Sequence, residues 1–252
     1  MKAVVTRNPK FSGTCFDSFE YFYRLWELDN TTKYISKYPQ LTRDFINQKY
    51  NVDQKCLDNI IIDDPYNYEY TGCLFFDTHC FELPKLNTKN VFIIANSDIQ
   101  FTDPNKNIKI LSEFNHSKNY THKLYFDIHK IYPHSKNTYI NAMDTGIEVL
   151  KIISNYNPRI LKDPKSAFQH YSLTKFTGDF FKDFDNYVYI KTPKTYDRHP
   201  RMFSECVYQG VNCEYINLGG QIDPSWLRFE DRFELGKRDL KNDSLIDEFL
   251  GA

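Results

Sequence analysis

Unbroken apolar runs that stop abruptly on polar residues constrain the fold of this chain more than any other feature. Three follow one another in the first half, "NIIID" at 59–63, "CLFFD" at 73–77 and "NVFIIANSD" at 90–98, and "IKILSEF" at 108–114, with one lysine inside it, continues the series. A strand with one wet face alternates apolar and polar residues. A continuous run such as 91–95 needs cover on both faces, the condition of a strand inside a parallel sheet. Parallel neighbours require long crossovers, and helical patterns or long connections separate the runs. A further short buried strand, "AVV" at 3–5, precedes a helix over 15–28, where Phe19, Phe22, Tyr23 and Trp26 recur at helical spacing. A second helix is expected over 39–49. Strands interleaved with helices predict an α/β fold built on parallel sheets.

The second half repeats the alternation. A helix is expected over 142–156, a short strand over 159–163, helical spacing over 176–184, a strand over 187–191 and another over 213–217. The expectation is therefore two Rossmann-like units. Residues 1–142 form the first and residues 143–252 the second, which ends in a closing C-terminal helix.

Several function classes drop out early. The chain holds neither a Walker loop nor a GxGxxG, which speaks against a kinase or a dehydrogenase. The six cysteines include no CxxC and sit mostly in apolar runs, so they read as buried thiols of a reducing compartment. The histidines lack zinc spacing, and no metal is expected. No apolar run approaches the ~20 residues of a membrane span, and "MKAVVTRNPK" turns polar too soon for a signal peptide. A cytoplasmic monomer is expected. The net charge of −1 gives no global attraction for nucleic acid, but residues 151–201 hold ten Lys/Arg against five Asp/Glu. That imbalance allows a local anion-binding face.

Ligands of open α/β sheets bind beyond the carboxyl ends of the strands. Asp63, Asp64, Asp77 and Asp98, each at or just after the end of an apolar run, are thus candidates, with turn formation as the other reading. The DxD of Asp183 and Asp185 and the "IDDP" at 62–65 are candidate metal motifs. The flanks of Asp183, however, have helical spacing, and a metal DxD normally ends a strand.

The stretch "KTYDRHPRMFSECVYQGVNCEYIN" at 194–217 is the most informative. Pro200 suits the first position of a helix. Met202, Phe203, Cys206 and Val207 form an apolar face, and Arg201, Ser204, Glu205 and Tyr208 share the other. Gly210 is the expected C-cap. Arginine at a helix N-terminus opposes the dipole, and Arg201 before Glu205 is the weaker order for an i,i+4 pair. An anion bound at the helix start resolves both conflicts. A solvated ion-pair face is the other reading.

The spacing from Asp197 to Glu205 resembles the acidic-x7-Glu motif of GT-B glycosyltransferases, with Asp197 where that family usually has Glu. The resemblance implies a cleft between two Rossmann-like domains. The first would be the acceptor side and the second would hold the nucleotide-sugar donor, with Glu205 on the ribose and Arg198, His199 and Arg201 near the diphosphate. Ser204 on the same face, and Lys162 and Lys165 of "RILKDPK", are further donor-site candidates. "NVFIIANSDIQF" at 90–101 is similar to a segment of T-even phage DNA glucosyltransferases, which implies that Asp98 is the general base. The loop carrying Arg7 and Gly13 is placed like their donor-side N-terminal loop. The abundance of Asn, Lys, Ile and Tyr is compatible with an AT-rich phage genome. These resemblances imply a UDP-sugar donor, no required cofactor, and double-stranded DNA bearing 5-hydroxymethylcytosine, or a sugar on it, as acceptor. Two rival expectations are a glycosyltransferase for a cell-surface saccharide and a non-catalytic phage protein that binds nucleic acid or a host factor.

Overall fold

In the computed structural model, every strand pairing among the described residues is parallel, and the strands form two sheets. The structure describes residues 1–6, 13–37, 43–76, 86–95, 103–112, 127–142, 146–156, 160–161, 180–193, 201–219 and 244–252. The first unit comprises Met1–Asn47, Asn51–Ile128 and Arg238–Ala252; the second comprises Gln48–Tyr50 and His129–Lys237.

In the first unit the strands are β1 (Lys2–Thr6), β2 (Lys33–Ser36), β3 (Ile60–Ile62), β4 (Gly72–Phe76), β5 (Asn90–Ala95) and β6 (Asn107–Ser112). They lie in the order β3-β2-β1-β4-β5-β6. The chain winds outward from β1 to β3 and then crosses back to the other side of β1. This is the doubly wound order, and the reversal between β1 and β4 is its switch point. Ala3, Val4 and Val5 have no exposed surface, because helices or loops cover both faces of the central strand. One face gathers Ala3, Val5, Ile35, Cys73, Phe75, Val91 and Ile93. The opposite face carries Tyr34, which meets Phe19 and Phe22 of α1 (Gly13–Leu28) at centroid distances of 5.9 and 5.3 Å. The Ser18 and Tyr34 hydroxyls are hydrogen-bonded at 2.8 Å, which satisfies two polar groups inside that apolar layer. Two short helices, α2 (Arg43–Lys49) and α3 (Gln54–Leu57), lie between β2 and β3.

In the second unit, β7 (Thr138–Ala142), β8 (Ile160–Leu161), β9 (Asn186–Lys191) and β10 (Asn212–Asn217) lie in the order β10-β9-β7-β8. The switch point is between β7 and β9. Ile140, Val188 and Ile190 turn to one face, under Val149 of α4 (Ile147–Tyr156). Tyr139, Asn141, Tyr187 and Tyr189 alternate with them and turn to the other. There Tyr187 meets Phe203 of α5 (Arg201–Gln209) at 5.9 Å and stacks on Tyr139 at 5.8 Å.

Three expectations need correction. The division falls at 128/129 rather than 142/143, because β7 pairs with β8 and β9 and so belongs to the second sheet. The C-terminal helix α6 (Ser244–Gly251) belongs to the first unit, where Phe249 packs on Phe92 at 5.7 Å and Glu248 pairs with Lys109. The helix expected over 176–184 is, in its described part, a 3-10 turn, Phe180–Asp183.

The end of α5 shows how a local signal fixes the chain path. Val211 N–H bonds Cys206 C=O at 3.0 Å and Gly210 N–H bonds Val207 C=O at 3.1 Å, the paired closure of a Schellman turn. Gly210 carries the left-handed φ of +82° that this turn requires. A Cβ at Gly210 would meet nothing within 4 Å, so the cost of substitution is backbone strain alone. Gly210→Ala is expected to lower stability by about 1–2 kcal/mol in urea denaturation. Gly210→Asn, whose side chain tolerates this conformation, is expected to lose clearly less.

Candidate functional site

The carboxyl edge of the second sheet gathers buried polar groups at its switch point. Lys191 ends β9 and is 2% exposed; Thr192 follows it at 4%; Asn141, the penultimate residue of β7, is 5% exposed. Strand alternation turns Lys191, Tyr189 and Asn141 to the same face, the one that α5 covers. Asn141 Nδ2 donates to the Tyr187 hydroxyl at 2.8 Å, while its carboxamide oxygen has no hydrogen-bond partner among the described residues. An unmatched carbonyl oxygen in a packed layer costs free energy of about 1–3 kcal/mol.

Helix α5 orients this edge. It leads from β9 back to the start of β10, from which two residues, Gly210 and Val211, separate it at the amino edge. Nine residues at 1.5 Å each span about 13 Å, so its N-terminus, opened by Arg201, is directed toward the carboxyl edge. Backbone N–H groups and the positive end of the dipole therefore sit where an anion would be met.

On its inner side α5 is anchored by charge. Lys49 Nζ donates to Glu205 Oε1 at 3.2 Å, and the two side chains are 2% and 0% exposed. The ammonium also lies 5.7 Å from the Tyr50 ring centroid and 5.9 Å from that of Phe181. The backbone around it is tied down: Lys130 N–H bonds Lys49 C=O at 3.0 Å, and Gln209 Nε2 donates to Lys130 C=O at 2.7 Å. His129 is 3% exposed, bridges to Tyr50, and has a ring nitrogen within 4.8 Å of a Glu205 oxygen. Burial pushes the Cys206 thiol well above its usual pKa, with Cys213 and Glu205 adding to the rise and Lys49 opposing it. Cys206 has no exposed surface and packs on the apolar side of α5.

The solvated ion-pair reading fails for Glu205, because its carboxylate has no exposed surface. The ligand-facing reading is also altered, since that carboxylate is engaged by Lys49. Arg201 and Ser204 lie on α5 as expected from the sequence, and Gly13 is the first residue of α1. Asp77, Asp98, Arg7, Lys162, Lys165, Asp197, Arg198 and His199 lie outside the described residues. Along the chain, Arg7 follows the end of β1 directly and Asp98 follows the end of β5 by three residues. Lys191, Asn141 and Lys49 were missed by motif reading. Only the position of Lys191 as the last residue of an apolar run could have flagged it.

The competing motifs resolve as structural. Asp183 and Asp185 precede β9 and so sit at the amino edge, where Asn137 Nδ2 donates to Asp183 C=O at 2.8 Å. Asp63 accepts from the Tyr68 hydroxyl at 2.7 Å and from Asp64 N–H and Asn67 Nδ2, and these bonds, Tyr68 first, lower its pKa. Asp64 caps the 3-10 turn at Pro65–Asn67 and pairs with Lys37 at 2.6 Å. Both are turn residues.

In the first unit, Thr6 closes β1 at the switch point with no exposed surface and no partner for its hydroxyl among the described residues. A depression of about 730 Å³ in this unit, lined by Thr71, Asn87, Asn90 and Lys106 among others, opens at the amino ends of β4 and β5. That is the wrong edge for an α/β ligand site, so its size carries no weight here.

Comparison with known proteins gives no match: no family model, no curated protein and no solved structure corresponds to this chain.

The buried pair yields a stability test. Removing one partner leaves an uncompensated charge, at a cost of about 3–5 kcal/mol. Lys49→Met and Glu205→Leu are each expected to lose that much in chemical denaturation. The double variant is expected to recover most of it.

Proposed function

We propose that the protein transfers a sugar from a nucleotide sugar, a UDP-sugar in our reading, to an acceptor hydroxyl. The carrying observation is the set of buried polar groups at the carboxyl edge of the second sheet, Lys191, Thr192 and Asn141, with the N-terminus of α5 directed at the same edge. A diphosphate needs fixed cations and N–H donors, and this edge supplies both kinds. Two doubly wound parallel sheets agree with the GT-B resemblance carried by Asp197 and Glu205.

In this reading the diphosphate is held by Lys191, Arg198 and Arg201, with His199 and the Lys162–Lys165 segment nearby. The acceptor oxygen attacks the anomeric carbon and its proton passes to Asp98. The bond from that carbon to the diphosphate oxygen breaks, and the nucleoside diphosphate leaves with its negative charge matched by the arginines. Preorganised cations stabilise charge that grows in the transition state. The ribose role expected for Glu205 is not carried forward, because Lys49 engages its carboxylate; its part is to hold α5 in place. The acceptor we favour is DNA bearing 5-hydroxymethylcytosine or a sugar attached to it, on the similarity of the segment around Asp98.

The test is mass spectrometry of hydroxymethylated DNA after incubation with a panel of UDP-sugars, beside oligosaccharide acceptors. A hexose mass gain on DNA supports the full reading. Gain on oligosaccharides alone moves the acceptor to a saccharide, and no transfer with retained DNA binding favours a binding protein. Given transfer, Asp98→Asn is expected to slow turnover about 10²–10⁴-fold, the usual worth of a general base, with UDP affinity nearly unchanged.

A further inference from the structure

We infer that Asn141 reads the nucleoside half of the ligand bound at the second sheet, accepting a hydrogen bond from a base N–H or a ribose O–H. The inference rests on the nucleotide-sugar reading above and deepens it.

The argument begins with an imbalance. Asn141 is nine-tenths buried, and its two polar atoms are treated differently. The amide nitrogen donates to Tyr187, itself fully buried between Tyr139 and Phe203. The carboxamide oxygen meets no donor among the described residues. Buried polar atoms in folded proteins nearly always have a partner, and those that lack one point to a water or a ligand. Packing also fixes the carboxamide. Tyr187 stacks on Tyr139 at an interplanar angle of 11° and meets Phe203 edge-on at 77°, so the hydroxyl that holds Asn141 has little freedom.

Position then narrows the ligand. Asn141 pairs in register with Tyr189, two residues before Lys191 on the neighbouring strand. Two residues of strand are about 6.6 Å, so the carboxamide lies deeper along the same face than the lysine at the edge. A nucleoside diphosphate has this polarity, with anionic charge at one end and N–H and O–H donors at the other. Phosphate oxygens cannot satisfy a carbonyl oxygen, since both only accept. The phosphates therefore belong to the cations, and the base or ribose to Asn141.

The experiment is calorimetric titration of the whole protein with UDP and, separately, with inorganic pyrophosphate. Asn141→Ala is expected to weaken UDP binding about ten-fold, the worth of one neutral hydrogen bond, and to leave pyrophosphate binding unchanged. Asn141→Ser provides a second, smaller polar replacement with the same expected split, should the alanine variant fail to fold. Titration with 2′-deoxy-UDP and 3′-deoxy-UDP identifies the donor: a loss in the wild type that vanishes in the variant with either analogue assigns that ribose hydroxyl, and an undiminished difference with both assigns the base. Equal UDP affinity in variant and wild type overturns the inference and gives the carboxamide to a buried water. Parallel losses for UDP and pyrophosphate also overturn it, as a purely structural role would produce them. A wild-type protein that binds neither ligand overturns the nucleotide-sugar reading, and this inference with it.

Discussion

Burial of both faces of a parallel sheet is the constraint from which the rest of this structure follows. Once helices cover the faces, polar side chains have few places to go along a strand. They collect at its two ends, and the ends are not equivalent. Connections enter helices at the carboxyl edge, so helix N-termini and their unpaired N–H groups gather there. In the first unit this edge holds the buried Thr6 hydroxyl, and in the second it holds Asn141, Lys191 and Thr192. The amino edge collects turn residues instead: Asn137 Nδ2 donates to Asp183 C=O, Asp185 N–H bonds Asn137 C=O and Asn186 Nδ2 donates to Asp185 Oδ1, although the Asn137 carboxamide oxygen has no hydrogen-bond partner among the described residues.

Helix α5 shows how one short element meets several demands. Met202, Phe203 and Cys206 bury its apolar stripe against the sheet, and the Gly210 turn returns the chain to β10. The Lys49–Glu205 pair adds a constraint that apolar packing lacks. A methyl group can slide over its neighbours at little cost, but a buried carboxylate that leaves its ammonium pays a full desolvation penalty. The pair ties α5 to the segment at Lys49 and so restrains the helix whose first N–H groups open toward the carboxyl edge.

Much of the architecture was legible in the residues. The apolar stretches at 60–62, 73–76, 90–95 and 108–112 all lie in strands, and the inner ones, β4 and β5, bury Cys73, Phe75, Val91 and Ile93 as a sheet covered on both faces requires. Gly210 is a helix cap because a left-handed turn there excludes most side chains. Two strands escaped notice for a physical reason: β2, "KYIS", and β7, "TYINA", are short and broken by polar residues. Their pairing is set by neighbours distant in sequence, which local pattern does not record. Missing β7 also misplaced the division between the units. The candidate site was half legible. A charge cluster before a helix is a local signal, and it led to α5. The carboxamide of Asn141 and the ammonium of Lys49 gain meaning only from what folding places beside them, and neither carries a motif.

The central claim is that the carboxyl edge of the second sheet binds a nucleotide diphosphate. Amide hydrogen exchange with and without UDP tests it directly, because ligand contact suppresses local opening where it occurs. The account predicts added protection in peptides covering 139–142, 189–193 and the first turn of α5 at 201–205, with the amino-edge segments at 135–138 and 210–213 unchanged. Exchange that UDP leaves untouched throughout the second unit would contradict it.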